Sequence, residues 1–150
     1  MTPRRALAAA LALPLLIGAC SEDETLSKDE FVEQGDRICD RADDRQNELE
    51  APEDLEAAVA FFDEVDQITD RARSDFADLQ PPEDGEDLQQ RFVDQVDEGQ
   101  DRLDEVRAAA EDGDEDRFQQ LISELEDNFG AETNEALRDY GFEQCGEEDE

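Results

Sequence analysis

Carboxylates are the only side chains in this sequence that are frequent enough to suggest chemistry. Aspartate and glutamate account for 47 of the 150 residues, against 13 lysines and arginines and no histidine. The nearest approach to a metal motif is the stretch from Asp112 to Asp116 (DGDED), which has acids at positions 1, 3 and 5 of an EF-hand calcium loop. Arg117 stands at position 6, where glycine is required, and Ser123 at position 12, where glutamate is required. We therefore interpret this stretch as a turn between two helices and predict no metal site there.

The residue patterns of the common catalytic sites are missing from the sequence. The absence of histidine removes the commonest general base and the commonest transition-metal ligand. No glycine-rich phosphate loop or dinucleotide fingerprint occurs, and the Glu-x-x-His pairs of di-iron bundles are absent. Asp66 and Glu132 lie beside predicted apolar seams, but the sequence offers neither of them a convergent partner. These observations predict a protein that is not an enzyme and needs no cofactor.

The first twenty residues have the pattern of an export signal. Arg4 and Arg5 precede an apolar run from Ala6 to Ile17, and small residues follow before Cys20. This order is typical of a secretory signal, and the run is shorter than the roughly 20 residues that a membrane span needs. A cysteine directly after the small residues resembles the lipobox of bacterial lipoproteins. The resemblance implies cleavage after residue 19 and acylation of the Cys20 sulfur, the alternative being an ordinary cleaved signal with an incidental cysteine.

The net charge of the chain limits the classes of partner that it is expected to bind. The net charge is −34, and cleavage of the signal would remove two arginines and no acid. Such a surface does not bind nucleic acid, whose phosphates require basic residues, and it is repelled by anionic lipid headgroups. We therefore expect contact with the membrane through the lipid alone. Low hydropathy combined with high charge is also typical of disorder, which the helical periodicity argues against.

Helical periodicity dominates the residues after the signal. Ser27 and Glu30 form a capping box, and Leu26 and Phe31 are placed as a hydrophobic staple. The first helix is therefore predicted to begin at Ser27 and to end near Glu50. Pro52 suits the first turn of a second helix.

Prolines, glycines and a capping aspartate later in the chain mark the end of the second helix and predict two more helices. The second helix ends at Pro81-Pro82, and the third ends at Gly113, a left-handed cap. Asp114 then caps a fourth helix that ends at Gly141, with a break or kink at Gly130 as an alternative.

No segment alternates as a strand does, so the sequence predicts an all-α protein. Four amphipathic helices with short connections favour an antiparallel up-down-up-down four-helix bundle after an N-terminal lipoprotein signal peptide. The predicted organisation is a signal peptide over 1–19, a lipidated cysteine and short tether over 20–26, a helical domain over 27–145 and an acidic tail over 146–150.

The three cysteines predict one disulfide. If Cys20 carries lipid, Cys39 and Cys145 remain in an oxidising compartment and allow a single intramolecular pairing. In an up-and-down bundle the fourth helix ends near the start of the first. Cys39 lies about 17 Å along the first helix, a distance that the extended segment from Gly141 to Cys145 can cover. The alternative is two unpaired cysteines, with Cys39 packed as an ordinary residue of the apolar seam.

Three short stretches carry a family resemblance: Leu26 to Phe31 (LSKDEF), Asp36 to Cys39 (DRIC) and Gly141 to Gly146 (GFEQCG). They resemble a group of small, functionally uncharacterised actinobacterial lipoproteins and secreted proteins, with one cysteine in the first helix and another near the C-terminus. The resemblance implies an extracytoplasmic location, an all-helical fold and paired cysteines, and it implies no activity.

Together these observations predict the protein's role. We expect a lipid-anchored module on the outer side of the bacterial cell membrane that contacts a basic envelope protein or has a structural role there. The alternative function is capture of Ca²⁺, Mg²⁺ or polyamines by the carboxylate-rich surface, because hard cations prefer oxygen ligands. The sequence does not specify an oligomeric state.

Overall fold

The computed structural model describes residues 25–126 and 130–146, and this part of the chain is all-α as predicted, with no strand. Its helices are α1 (Lys28–Asn47), α2 (Leu55–Ala77), α3 (Glu86–Glu111), α4 (Glu115–Glu126) and α5 (Ala131–Tyr140). The predicted export signal, the acylated Cys20 and the acids at 147–150 lie outside the described residues. None of the described helices is both long enough and apolar enough to span a membrane.

The predicted capping box begins α1. The Ser27 hydroxyl accepts the N–H of Glu30 at 3.3 Å, and the Glu30 carboxylate accepts the N–H of Ser27 at 3.0 Å. Hydrogen bonds from the Ser27 side chain, and then from its backbone, hold the pKa of Glu30 below its ordinary value. Leu26 donates its N–H to the carbonyl of Gln80 at 2.8 Å, so α1 begins beside the end of α2.

The second helix begins later than predicted. Pro52 is outside α2, and the prediction that it occupies the first turn is wrong. Asp54 is the N-cap instead, and its Oδ1 accepts the N–H of Ala57 at 2.8 Å. The Asp54 side chain thereby accepts a backbone N–H of the first turn that has no partner within the helix. A proline side chain has no oxygen with which to do this.

The turn between α3 and α4 uses both predicted caps. Gly113 has a left-handed φ of 69° and donates to the carbonyl of Ala110, while Asp114 donates to that of Ala109. These two bonds are those of a Schellman motif. The Asp114 carboxylate then accepts the N–H of Arg117 at 3.1 Å, so Asp114 caps the start of α4.

The predicted fourth helix is two helices. α4 ends at Glu126 and α5 begins at Ala131, with Gly130 between them at φ 79°. A residue at this positive φ cannot continue a right-handed helix, so a single fourth helix is wrong and the break at Gly130 is confirmed.

The core consists of two clusters rather than one continuous seam. The first cluster joins α1, the end of α2, the start of α3 and α5 through the buried residues Phe31, Ile38, Phe76, Leu88, Leu137, Phe142 and Cys145. The second cluster joins the start of α2, the end of α3 and α4 through Ala58, Phe62, Val106, Ala109, Ala110 and Leu121. Between them Val65 and Ile68 of α2 and Val96 and Gly99 of α3, which recur at helical spacing, are only half-buried.

Polar pairs cross from α2 to α3 at the level between the two clusters. Gln100 donates to the Asp66 carboxylate at 3.0 Å, and Arg73 makes two bonds to the Asp97 carboxylate at 2.6 and 2.9 Å. Because these polar side chains need water or polar partners, they prevent apolar side chains from fully covering the region between the two clusters.

Candidate functional site

The C-terminal segment is fastened to α1 by the two predicted cysteines. The Sγ atoms of Cys39 and Cys145 are 2.03 Å apart and the Cα atoms 5.3 Å apart, so the predicted pairing at disulfide distance is confirmed. Cys145 is buried, whereas Cys39 is half-buried on α1. The pair joins residues 106 positions apart and closes most of the described chain into one loop.

A carboxylate beside the cysteine pair receives the backbone of the same segment. Asp36 accepts the N–H groups of Glu143, Gln144 and Cys145 at 2.9 to 3.2 Å. This role of Asp36 was not predicted from the sequence, and the segment predicted to be extended instead forms bends and a turn over residues 143–146. The available signal was that Asp36 lies three residues before Cys39, which places both on one face of a helix.

Glycine at position 35 allows the segment to pack closely on α1. A Cβ atom there would lie 2.5 Å from Phe142 and 2.8 Å from Phe76, closer than real Cβ contacts. Phe142 thereby reaches Phe31, with ring centroids 5.4 Å apart in an edge-to-face arrangement. Phe31 and Phe76 are completely buried, so these rings form the centre of the first cluster.

The predicted cap at the end of α5 directs this segment back towards α1. Gly141 has φ 122°, and Phe142 donates its N–H to the carbonyl of Leu137 at 3.0 Å, as in a Schellman motif. Gly146, which was assigned to the acidic tail, is buried, and its carbonyl accepts a hydrogen bond from Arg138 at 2.6 Å.

Tyr140 joins the start of α1 to the loop before α3. Its hydroxyl donates to the Asp84 carboxylate at 3.2 Å, and Lys28 Nζ lies 4.2 Å from its ring centroid. Burial, and then the charge of Asp84, raises the pKa of Tyr140 above its ordinary value.

The acids are carried on the outside of the structure. No charged side chain in the described ranges is fully buried. Of the two acids singled out in the sequence, Asp66 is half-buried and bonded to Gln100, whereas Glu132 is exposed. The structure does not bring them together as a catalytic pair.

The acid-rich stretch from Asp112 to Asp116 is the turn between α3 and α4, as interpreted from the sequence. Among residues 25–126 and 130–146, no group of three or more acids or cysteines is arranged to hold a metal ion. Cation capture by the surface as a whole stays a prediction, which calorimetry with Ca²⁺ tests by distinguishing saturable binding from heat that salt abolishes.

Exposed acids lie at the end of the structure that is far from Leu26. The second core cluster brings the start of α2, the end of α3 and the start of α4 together. We call their exposed acids the acidic end, which comprises Glu53, Glu56, Glu111, Asp112, Glu115 and Asp116. The bond between Leu26 and Gln80 marks the opposite end of α2, about 35 Å away at 1.5 Å per residue.

Comparison with protein-family models, with curated protein sequences and with solved structures finds no match to this chain. The site must therefore be interpreted from its own geometry. The described residues form an all-α structure with a C-terminal segment fastened to α1 and with outward-facing acids.

Proposed function

We propose that this protein is a non-enzymatic, lipid-anchored, extracytoplasmic helical module that acts by contact with a basic surface of another envelope protein. The observation that supports the proposal is the outward placement of the acids around a core whose buried members are apolar. Opposite charges on two surfaces accelerate their encounter and select the partner. In this proposal α4 and α5 together replace the fourth helix of an antiparallel up-down-up-down bundle.

The direction of the module relative to the membrane follows from its anchor. Cys20 precedes Leu26 by six residues, so an acylated Cys20 would hold the start of α1 close to the lipid. The acidic end would then face away from the membrane, where a partner can approach it.

The anchor is tested by Cys20→Ser. We expect this variant to lose its lipid and to leave the membrane fraction, or to remain as an unprocessed precursor. Intact-mass measurement of the unaltered protein should show an acylated residue 20, and an unmodified thiol there would disprove the anchor.

The contact is tested by cross-linking in whole membranes and capture of the tagged protein. A variant with Glu53→Gln, Glu111→Gln, Asp112→Asn and Glu115→Gln should lose its cross-linked partner. A control with Asp40→Asn, Asp44→Asn, Glu132→Gln and Glu135→Gln removes equal charge from other exposed positions and should keep the partner. Absence of a specific partner at every salt concentration, or equal loss in both variants, would contradict the proposal.

A further inference from the structure

A groove between α1 and α2 is lined by three arginines, although the chain has few basic residues. Its inner part is a hollow of about 150 Å³, lined by Ile38, Arg41, Ala42, Arg45, Arg71, Ala72 and Asp75. Ile38 and the two alanines, Ala42 of α1 and Ala72 of α2, form the apolar part of this lining, and the three arginines form its basic part.

The charge balance of the hollow is opposite to that of the chain. Acids outnumber bases by 47 to 13 in the sequence, yet here three arginines accompany a single aspartate. The hollow therefore has a formal charge of two positive units. The adjoining part of the groove is lined by Glu64 and Asp70 together with Arg45 and Arg71, so it has no net formal charge and favours an anion less than the inner hollow does.

The arginines keep hydrogen-bond donors available. Asp75 holds two of them, since its Oδ2 lies 3.5 Å from Arg41 Nη2 and its Oδ1 lies 3.1 Å from Arg71 Nε. The side chains of these two arginines are 58% and 73% exposed, so most of their five N–H donors are not engaged. Arg45 has no ion pair within the described part of the chain.

We propose that this hollow binds a phosphate dianion, either inorganic phosphate or the phosphate group of a small monoester. A guanidinium fork matches the oxygens of a phosphate, and a phosphate monoester carries about −1.5 to −2 charges at pH 7, which balances the hollow. The volume corresponds to about five waters at roughly 30 Å³ each, so the ligand is small. The negative charge of the rest of the protein repels polyanions and reinforces this limit. The proposal is independent of the lipid anchor and of the envelope partner.

Calorimetry with the full chain and inorganic phosphate tests the site. We expect saturable binding of one phosphate per chain, and Arg45→Gln should weaken the affinity by about tenfold or more because it removes a charged donor. The matched control is Arg117→Gln, which removes the same charge from α4, where Arg117 pairs with Glu105. This control should change the affinity by less than about twofold. Thermal melting of both variants shows whether each is folded.

Further titrations define the ligand. Glycerol 3-phosphate binding more tightly than inorganic phosphate would assign the site to monoesters, and the reverse would assign it to the free ion. Tighter binding of acetate than of either phosphate would overturn the proposal. No saturable heat at millimolar phosphate, or equal weakening by the two arginine substitutions, would overturn it as well.

Discussion

Asp36 and Cys145 are joined by a hydrogen bond of 3.2 Å from the Cys145 N–H to the Asp36 carboxylate, one helical turn from the cysteine to which Cys145 is paired. The C-terminal segment is thus held at one place on α1 by a covalent bond and by hydrogen bonds to a carboxylate. Phe142 enters the core directly before this point and is 2% exposed. Fastening this segment therefore also fixes the centre of the first core cluster.

The first prediction concerns Asp36→Ala. Removing the carboxylate leaves three N–H groups without their acceptor, two of them partly buried. We expect the free energy of unfolding to fall by about 1–3 kcal/mol, measured by urea titration. Asp40→Ala, one turn further along α1 and exposed, is the control and should cost less than half as much. Equal effects of the two substitutions would show that the hydrogen bonds do not stabilise the fold.

The second prediction concerns the disulfide. Replacing both Cys39 and Cys145 with serine opens a loop of about a hundred residues, which should lower the free energy of unfolding by about 2–5 kcal/mol. Reduction of the unaltered protein should have a similar effect on its melting temperature and should have none on the double variant. Two free thiols in denatured, unreduced protein would disprove the bond.

The third prediction concerns Gly35→Ala. The added methyl group would overlap the rings of Phe142 and Phe76, so overpacking should destabilise the protein by about 1–3 kcal/mol despite the better helix propensity of alanine. Gly113→Asn is the control, because nothing lies within 4 Å of that position and asparagine tolerates its positive φ. An increase in melting temperature for Gly35→Ala would contradict the packing.

The fourth prediction is a pH dependence at the Arg73–Asp97 pair. The hydrogen bond from Arg73 lowers the pKa of Asp97 below its ordinary 3.8, so the folded state binds this proton less readily than the unfolded state. The stabilisation is therefore fully present above about pH 4 and is lost as the pH falls through the lowered folded pKa. Urea titrations should show that Asp97→Asn destabilises the protein at pH 6 and that the difference from the unaltered protein shrinks below 3.8.

A control identifies the source of that pH dependence. Asp101→Asn removes an exposed carboxylate that makes no ion pair among the described residues. It should have a smaller effect on stability at pH 6 than Asp97→Asn does. A difference for Asp97→Asn that grows as the pH falls would contradict the assigned direction of the pKa shift.

The fifth prediction concerns salt. The net charge of the chain is −34, and repulsion between exposed charges more than about 10 Å apart is largely screened at 0.1 M salt. The melting temperature should rise as sodium chloride increases from low millimolar to molar concentration. The quadruple variant of the acidic end should show a smaller rise. A flat or falling curve would mean that charge repulsion does not limit stability.

The sequence by itself determined the elements that depend on neighbouring residues. The capping box of Ser27 and Glu30 and the turn at Gly113 and Asp114 were predicted correctly. The end of the last helix at Gly141 was also predicted correctly. Each of these features is made by atoms within about five positions of one another, so residue order is sufficient to specify it. The cysteine pairing could be predicted for a different reason, because a chain with few cysteines allows few pairings.

Only the tertiary structure decided the features that join distant residues. Asp36 and Cys145 are 109 positions apart, and the local signal for Asp36 is only that it lies three residues before Cys39, which does not specify what its carboxylate binds. The arginine hollow needs α1 and α2 at a particular rotation, and the division of the core needs α2 and α3 to bring their polar residues to one level. Helical periodicity specifies which face of a helix is apolar, but the angle and register between helices are set by side chains that meet only after packing.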